Sequence, residues 1–286
     1  MFWLQVEKHR RNIMFEHTIF ALPFAYLGLF LAAGGWPGWE PFLWVSLAMV
    51  GARTAAMSFN RLIDVHIDAQ NPRTATRLLP TGAISWRSVA MVAVGGLGVL
   101  LVAAWQLNPL CFALSPIAVI ALTGYSFTKR FTWLSHAALG LTDAMAPAGG
   151  WLAVDPHFTP AMLLLSLAVA IWIAGFDIIY ACQDADFDKQ HGLYSIPAVF
   201  GIPAALRIAR LCHVAMVVTL IALGFTLGMG WIYYIGVVAT TGLLVYEHMI
   251  IAPDDMSRID VAFFTVNSYV ASVLFLFTLA DMWLCT

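Results

Sequence analysis

The chain has 286 residues, of which 61% are hydrophobic and 10% charged, with a net charge of −2. Soluble domains carry about 25% charged residues, so a water-soluble globule is excluded and lipid is the expected solvent for much of the surface. The near-neutral balance gives no global attraction to nucleic acid.

A charged N-terminal stretch (Glu7, Lys8, Arg10, Arg11) precedes an apolar run that is too long for a signal peptide and lacks a cleavage signature. A bilayer crossing takes roughly 20 apolar residues. Such runs are expected as helices at 13–33, 42–65, 86–106, 109–126, 132–152, 160–182, 203–227, 230–250 and 262–284, nine in all. The runs are too long and do not alternate as barrel strands would. Gly and Pro punctuate the gaps at Trp36-Pro37-Gly38, Asn108-Pro109, Asp155-Pro156 and Ile202-Pro203. Pro23, Pro116 and Pro147 fall inside expected helices, where bundles in membranes tolerate kinks. The scattered cysteines (Cys111, Cys182, Cys212, Cys285) form no CxxC pair and read as buried thiols.

The basic residues fix an expected orientation. Lys8, Arg10 and Arg11 precede the first run, and Arg73 and Arg77 fill the 2–3 loop, flanked by Arg61 and Arg87. Lys129 and Arg130 fill the 4–5 loop, Lys189 the 6–7 loop with Arg207 and Arg210 just beyond, and Arg258 the 8–9 loop. The alternate loops hold no Lys or Arg, so 13 of the 14 basic residues fall on one side, the exception being Arg53 inside the second run. Cytoplasmic loops concentrate Lys and Arg, so the expected topology is N-in, C-out in the cell inner membrane.

The acids are clustered. At the expected cytoplasmic end of the second run, Asn60, Asp64 and Asp68 are spaced i, i+4, i+8. On one helix this stacks three oxygen-bearing side chains on a face, about 6 Å apart and drifting about 40° per step. At the end of the sixth run, Asp177, Asp184 and Asp188 share a face, and Asp186 points elsewhere. Stacked carboxylates repel, so two such stacks call for a compensating cation. The ligands are oxygen only, which favours Mg²⁺ or Ca²⁺ over zinc, and Mg²⁺ completes its shell with water and phosphate. Arg73, Arg77 and Lys129 lie beside the clusters and, with a metal, would neutralise a diphosphate leaving group. Asp64 and Asp184 are 120 residues apart, as are Asp68 and Asp188. This suggests one domain over 1–286 with a pseudo-repeat, helices 1–4 (about 13–126) against helices 5–8 (about 132–250), plus a ninth helix.

These residues resemble the UbiA superfamily of intramembrane aromatic prenyltransferases. Its NxxxDxxxD motif matches Asn60, Asp64 and Asp68; its basic loop resembles Arg73-Thr-Ala-Thr-Arg77 with Pro80-Thr-Gly82; its YxxxK element matches Tyr125 and Lys129; and its DxxYxxxDxxxD motif matches Asp177, Tyr180, Asp184 and Asp188. The resemblance implies an all-α bundle of nine transmembrane helices around a central cavity, with loops capping the cytoplasmic side. It implies two Mg²⁺ held on a polyprenyl diphosphate by Asn60, Asp64, Asp68, Asp177, Asp184 and Asp188, with Arg73, Arg77 and Lys129 on the diphosphate and Tyr125 and Tyr180 at the substrate. Many members carry an acid where Arg61 stands here. Arg61 lies about 100° off the Asn60/Asp64 face, toward headgroups or toward the diphosphate.

The expected chemistry is departure of diphosphate from an allylic carbon, attack by an electron-rich ring, and loss of a ring proton, in a cavity that excludes water. Tyr125, Phe127, Trp172, Phe176 and Tyr180 are candidates to face the cationic prenyl group. Arg53 sits two turns deeper than Asn60, where an unpaired charge costs at least about 2.5 kcal/mol. It either pairs with Asp143 or Glu16 or anchors an anionic substrate, and the resemblance links it to an acceptor carboxylate. The strings Phe15-Glu-His-Thr-Ile-Phe-Ala-Leu-Pro23 and Phe176-Asp-Ile-Ile-Tyr-Ala-Cys-Gln-Asp184 look like the 4-hydroxybenzoate polyprenyltransferase-like branch, part of which serves menaquinone synthesis with a dihydroxynaphthoate acceptor. Glu16, His17 and Asp143 are candidates to orient the ring or take its proton. Prenyl transfer to haem, chlorophyllide or a phosphoribosyl sugar would use the same metal motifs, and a transporter would also carry intramembrane acids.

Overall fold

The protein is described by a computed structural model over residues 2–13 and 18–285; Glu16 and His17 lie outside the described residues. Among those residues the chain is all-helical, with no strands. The helices are α1 (Phe2–Asn12), α2 (Thr18–Ala33), α3 (Trp39–Ile63), α4 (Val65–Gln70), α5 (Trp86–Leu107), α6 (Pro109–Thr128), α7 (Ser135–Asp143) and α8 (Met145–Leu152). They continue as α9 (Pro160–Ala181), α10 (Ala185–Gln190), α11 (Ile196–Phe200), α12 (Ile202–Leu227), α13 (Trp231–Met249) and α14 (Asn267–Leu284). Six helical runs are long and apolar enough to cross a bilayer: α3, α5, α6, Pro160–Gln190, α12 and Val261–Leu284.

Polar caps set where helices begin. The side chains of Ser85, Asn108 and Thr159 each accept from a backbone N–H one turn into α5, α6 and α9, satisfying a donor that the helix start leaves open. Pro109 and Pro160 follow two of these caps at the first helical position, where no N–H is missed.

The expected helix over 132–152 is split into α7 and α8 around Ala144. Pro147 explains the break, since it has no N–H for the Asp143 carbonyl and its ring crowds that carbonyl. Glycine then lets α8 lie directly on α2. A Cβ on Gly28 would meet the Pro147 carbonyl oxygen at 2.0 Å, and one on Gly150 the Ala25 carbonyl oxygen at 2.0 Å. Such backbone approach through small residues is how helices associate where water gives no hydrophobic drive.

The two acid-bearing helices are not continuous stacks. α3 ends at Ile63, and Asp64 (φ −95°, ψ 6°) joins it to α4. α9 ends at Ala181, a 3₁₀ turn spans Cys182–Asp184, and Asp184 (φ −102°, ψ 4°) joins it to α10. Both aspartates occupy the sparsely populated bridge region. α9 is the central helix, buried along most of its length, with Trp172 at the heart of the main apolar cluster. Outer helices present Met91, Trp105 and Ile120 outward, each about two-thirds exposed. Of the cysteines only Cys182 is buried; Cys111 and Cys212 are partly covered and Cys285 is exposed, so the buried-thiol expectation holds for one. The Cys182 thiol donates to the Ile178 carbonyl one turn back, in α9.

Candidate active site

One cavity of about 330 Å³ opens between α3–α4, α6, α7 and α9–α10. It is lined by Arg53, Asn60, Asp64, Asp68, Arg73, Arg77, Tyr125, Lys129, Asp177, Tyr180, Asp184 and Asp188, so the residues singled out by spacing converge on one space. Asp186 is exposed and outside it.

Asp64, Asp68, Asp177 and Asp184 are held by identifiable donors. Asp64 accepts from Asn60 Nδ2 at 3.1 Å, lies 3.6 Å from Lys129 Nζ and accepts from Arg130 Nη2 at 3.1 Å. Arg77 Nη1 reaches both Asp68 oxygens at 2.7 Å. Arg73 grips Asp184 in a fork, Nε to Oδ1 at 3.0 Å and Nη2 to Oδ2 at 2.5 Å, the bidentate geometry that suits guanidinium to carboxylate or phosphate. Arg73 Nη1 also donates to the Tyr180 hydroxyl at 3.1 Å. Burial works against the Arg73 charge, but the Asp184 hydrogen bond and its attraction outweigh it, so Arg73 holds its proton more tightly than an ordinary arginine. Arg73 thus ties the loop after the first acidic motif to the second motif.

Asp177 sits deeper, bonded to His136 Nδ1 at 2.7 Å. The backbone N–H of Ile196 donates to His136 Nε2 at 3.2 Å. A nitrogen that accepts carries no proton, so His136 is the Nδ1–H tautomer and donates to Asp177.

Several residues were missed or misjudged by sequence. Arg130, read as ordinary loop charge, contacts Asp64. Arg61, for which headgroups and the diphosphate were both open, takes the second direction: it is 5% exposed, lines the cavity and donates to the Asn12 carbonyl at 3.3 Å. Asn71 donates to Asp184 at 2.9 Å; its position before Pro72 was the available signal. Phe127 is largely exposed and does not line the cavity. The rings that line it unexpectedly include Phe24, Phe187, Phe263 and Phe264, with Phe263 stacked on Tyr180 at 4.0 Å between centroids. Phe263 and Phe264 ride on a π-helical turn, Val261–Val266. Asn267 Nδ2 donates to the Ala262 and Phe263 carbonyls of that turn, and Trp172 Nε1 donates to Asn267 Oδ1.

Arg53 makes no hydrogen bond or ion pair among the described residues, and its Nε is buried without a partner. Asp143 lines the same cavity within electrostatic range of Arg53 but outside ion-pair contact. Pairing with Asp143 is therefore not how Arg53 is satisfied, and Glu16 lies outside the described residues.

Among the described residues no group of three or more His, Cys, Asp or Glu is gathered into a ready metal cage. The acids instead ring an open space, offering oxygen only. That set fits a hard divalent ion whose remaining ligands come from a substrate, as Mg²⁺ typically takes one or two carboxylates plus phosphate.

Residues 21–269 match the model of the UbiA prenyltransferase family. The chain belongs to the UbiA prenyltransferase family. It is 32% identical over 252 residues to a 4-hydroxybenzoate octaprenyltransferase of Aliivibrio fischeri, covering 87% of this chain and 86% of that one. A 4-hydroxybenzoate octaprenyltransferase of Vibrio cholerae is 31% identical over 259 residues, covering 89% of each. Among solved structures, a UbiA homolog from Aeropyrum pernix K1 superposes with a TM-score of 0.85 at 33% identity, covering 93% of this chain and 98% of that chain. A UbiA homolog from Archaeoglobus fulgidus, bound to DMAPP and Mg²⁺, superposes with a TM-score of 0.70 at 19% identity over 97% of this chain and 99% of that one, a likeness of fold. This UbiA-family chain is accordingly an enzyme, a prenyltransferase.

Proposed function

We propose that this enzyme transfers a polyprenyl group from a polyprenyl diphosphate to an aromatic carboxylate, of the 4-hydroxybenzoate or dihydroxynaphthoate type, in quinone biosynthesis. The observation that carries the acceptor is Arg53 at the cavity, a half-buried guanidinium with no hydrogen-bond or ion-pair partner among the described residues and with its Nε buried. An aromatic acid supplies both the anion that Arg53 lacks and the electron-rich ring. The relatives named for 4-hydroxybenzoate support the same class. Haem, chlorophyllide and phosphoribosyl acceptors would fit the same metal motifs, but Arg53 at the cavity fits an aromatic carboxylate best.

Asn60, Asp64, Asp68, Asp184 and Asp188 would hold two Mg²⁺ ions with the diphosphate, Asp177 completing the set from below. Mg²⁺ bound there supplies Lewis-acid charge that stabilises the departing diphosphate. Arg73, Arg77 and Lys129 exchange their carboxylate partners for phosphate oxygens when donor binds. The C–O bond to the allylic carbon breaks with its electron pair leaving on diphosphate. Tyr180, Phe176 and Phe263 turn aromatic faces toward the prenyl group and exclude water that would quench it. A ring carbon of the acceptor forms the new C–C bond, and the ring proton is lost.

For topology we retain nine crossings, N-in and C-out, with the acidic end at the cytoplasmic face of the inner membrane. The Lys and Arg bias supports this. The matching bridge-region backbone of Asp64 and Asp184 supports the pseudo-repeat in a single domain. Transport is disfavoured because the acids cluster at one end of the bundle rather than at its middle.

The test is purified protein with Mg²⁺, geranyl or longer diphosphates and a panel of aromatic acids. Prenylated product is expected, and is expected to vanish with EDTA and in Asp64→Ala or Asp184→Ala. Normal turnover in both variants would overturn the metal assignment.

A further inference from the structure

Asn267, the first residue of α14, is buried and borders the cavity beside the π-helical turn. Its side-chain amide is engaged on both sides. The indole N–H of Trp172, on α9, can only donate, and it reaches Oδ1 at 2.9 Å, so Nδ2 faces the other way. Nδ2 donates to the Ala262 carbonyl at 3.1 Å, to the Phe263 carbonyl at 3.2 Å and to Glu247 Oε1, on α13, at 3.2 Å. The backbone N–H of Asn267 is bonded to the Phe264 carbonyl. One residue thus holds three successive carbonyls of the turn and ties them to α9 and α13. Glu247 is fully buried, and its Oε2 makes no hydrogen bond among the described residues. An acid inside a membrane bundle is costly and points to function through its partner, and here that partner is Asn267.

What the bracket holds is aromatic. Neighbours on a regular helix point about 100° apart, yet Phe263 and Phe264 both line the cavity. Single π turns of this kind are frequent at functional sites. Phe263 meets Phe176 edge-on at 5.2 Å in addition to its stack on Tyr180, and Phe264 meets Tyr180 edge-on at 6.1 Å. We propose that Asn267, backed by Glu247 and Trp172, is a positioning residue that holds the π turn so that Phe263 and Phe264 complete the aromatic wall and keep water from the prenyl group. The proposal rests on the prenyl-transfer reading and adds to it the determinant of which nucleophile the prenyl carbon meets. In either outcome the allylic C–O bond breaks with its electron pair leaving on diphosphate. With the wall in place the carbon bonds to the acceptor ring, which then loses its proton. With the wall displaced the carbon bonds to a water oxygen, one water proton passes to solvent, and prenyl alcohol forms instead.

The test supplies the full-length protein in nanodiscs with Mg²⁺, labelled geranyl diphosphate and 4-hydroxybenzoate or another aromatic acid, and measures the ratio of prenyl alcohol to prenylated acid. That ratio is set per turnover, so a smaller folded fraction does not move it. Asn267→Leu, close in size but without the amide, is expected to raise the ratio about five-fold or more. Glu247→Leu is expected to raise it about three-fold or more, and Glu247→Gln, whose amide oxygen still accepts from Asn267, to restore it. Phe263→Leu is expected to raise the ratio by itself, and Asn267→Leu/Phe263→Leu to raise it no further, since residues that act through one contact are not additive. Thr278→Ala removes a buried hydroxyl bonded to the Leu274 carbonyl farther along α14; it is expected to lower the thermal midpoint and leave the ratio at the parent value. An unchanged ratio in Asn267→Leu or, should that variant not accumulate, in Glu247→Leu overturns the positioning role, as does an equal rise in Thr278→Ala. A parent enzyme that prenylates none of the aromatic acids defeats the prenyl-transfer reading itself, and the proposal with it.

Discussion

Replacing Arg53 with Met keeps an unbranched apolar stem, about two bonds shorter, and removes the charge. In the cavity the guanidinium has no protein acceptor among the described residues, and its Nε is buried, so a bound acceptor carboxylate is the partner assigned to it. A hydrogen bond to a charged group contributes about 1.5–3 kcal/mol net, and each 1.4 kcal/mol is tenfold. The acceptor KM of Arg53→Met should therefore rise about 10- to 150-fold, with the diphosphate KM little changed. The assay varies each substrate with the other saturating, using 4-hydroxybenzoate and its methyl ester as acceptors. The parent enzyme should prefer the acid by about the same factor, and Arg53→Met should lose that preference. Asp143 shares the cavity within electrostatic range, so Arg53→Met/Asp143→Asn serves as the control in which no unbalanced acid remains. An unchanged acceptor KM, or undiminished discrimination against the ester in the variant, would refute the reasoning.

Tyr180→Phe removes the hydroxyl that accepts from Arg73; at about 1 kcal/mol the diphosphate KM should rise roughly five-fold, and equal kinetics would show that Arg73 is positioned by Asp184 alone. His136→Asn retains an N–H donor toward Asp177, whereas His136→Ala does not. The alanine variant should lose turnover well beyond the asparagine variant, and equal losses would make the contact merely structural. Gly28→Ala forces a methyl group onto the Pro147 carbonyl, an overpacking worth about 1–3 kcal/mol. Its thermal midpoint should fall by about 2–12 °C, while Gly95→Ala, which meets nothing within 4 Å, should leave the midpoint unchanged.

Spacing identified the site because its chemistry constrains residue type. Few reasons exist to stack carboxylates at a helix end, and Asp64, Asp68, Asp184 and Asp188 all line the cavity. Spacing left direction open where backbone geometry decides it. An ideal helix turns Arg61 away from Asn60, yet Arg61 is buried against Asn12 at the end of α1 and reaches the cavity. No pattern within the motif encodes the position of a distant helix end. His136 and Arg130 were obscure for a related reason, since each acts through one partner, Asp177 or Asp64, far away in sequence.

The helix breaks link these points. At Asp64 and Asp184 the backbone departs from helical ψ, so the acids no longer follow the 3.6-residue repeat that first grouped them. A continuous helix would fan successive carboxylates by about 40° per step and send the later ones out of a shared pocket. The break re-aims α4 and α10, and Asp68 and Asp188 remain at the cavity with Asp64 and Asp184. Donors from other segments hold each break: Arg130 on the Ile63 carbonyl and Asp64, Asn71 and Arg73 on Asp184. The acidic spacing is therefore a property of two bent helices kept bent by partners outside the motifs.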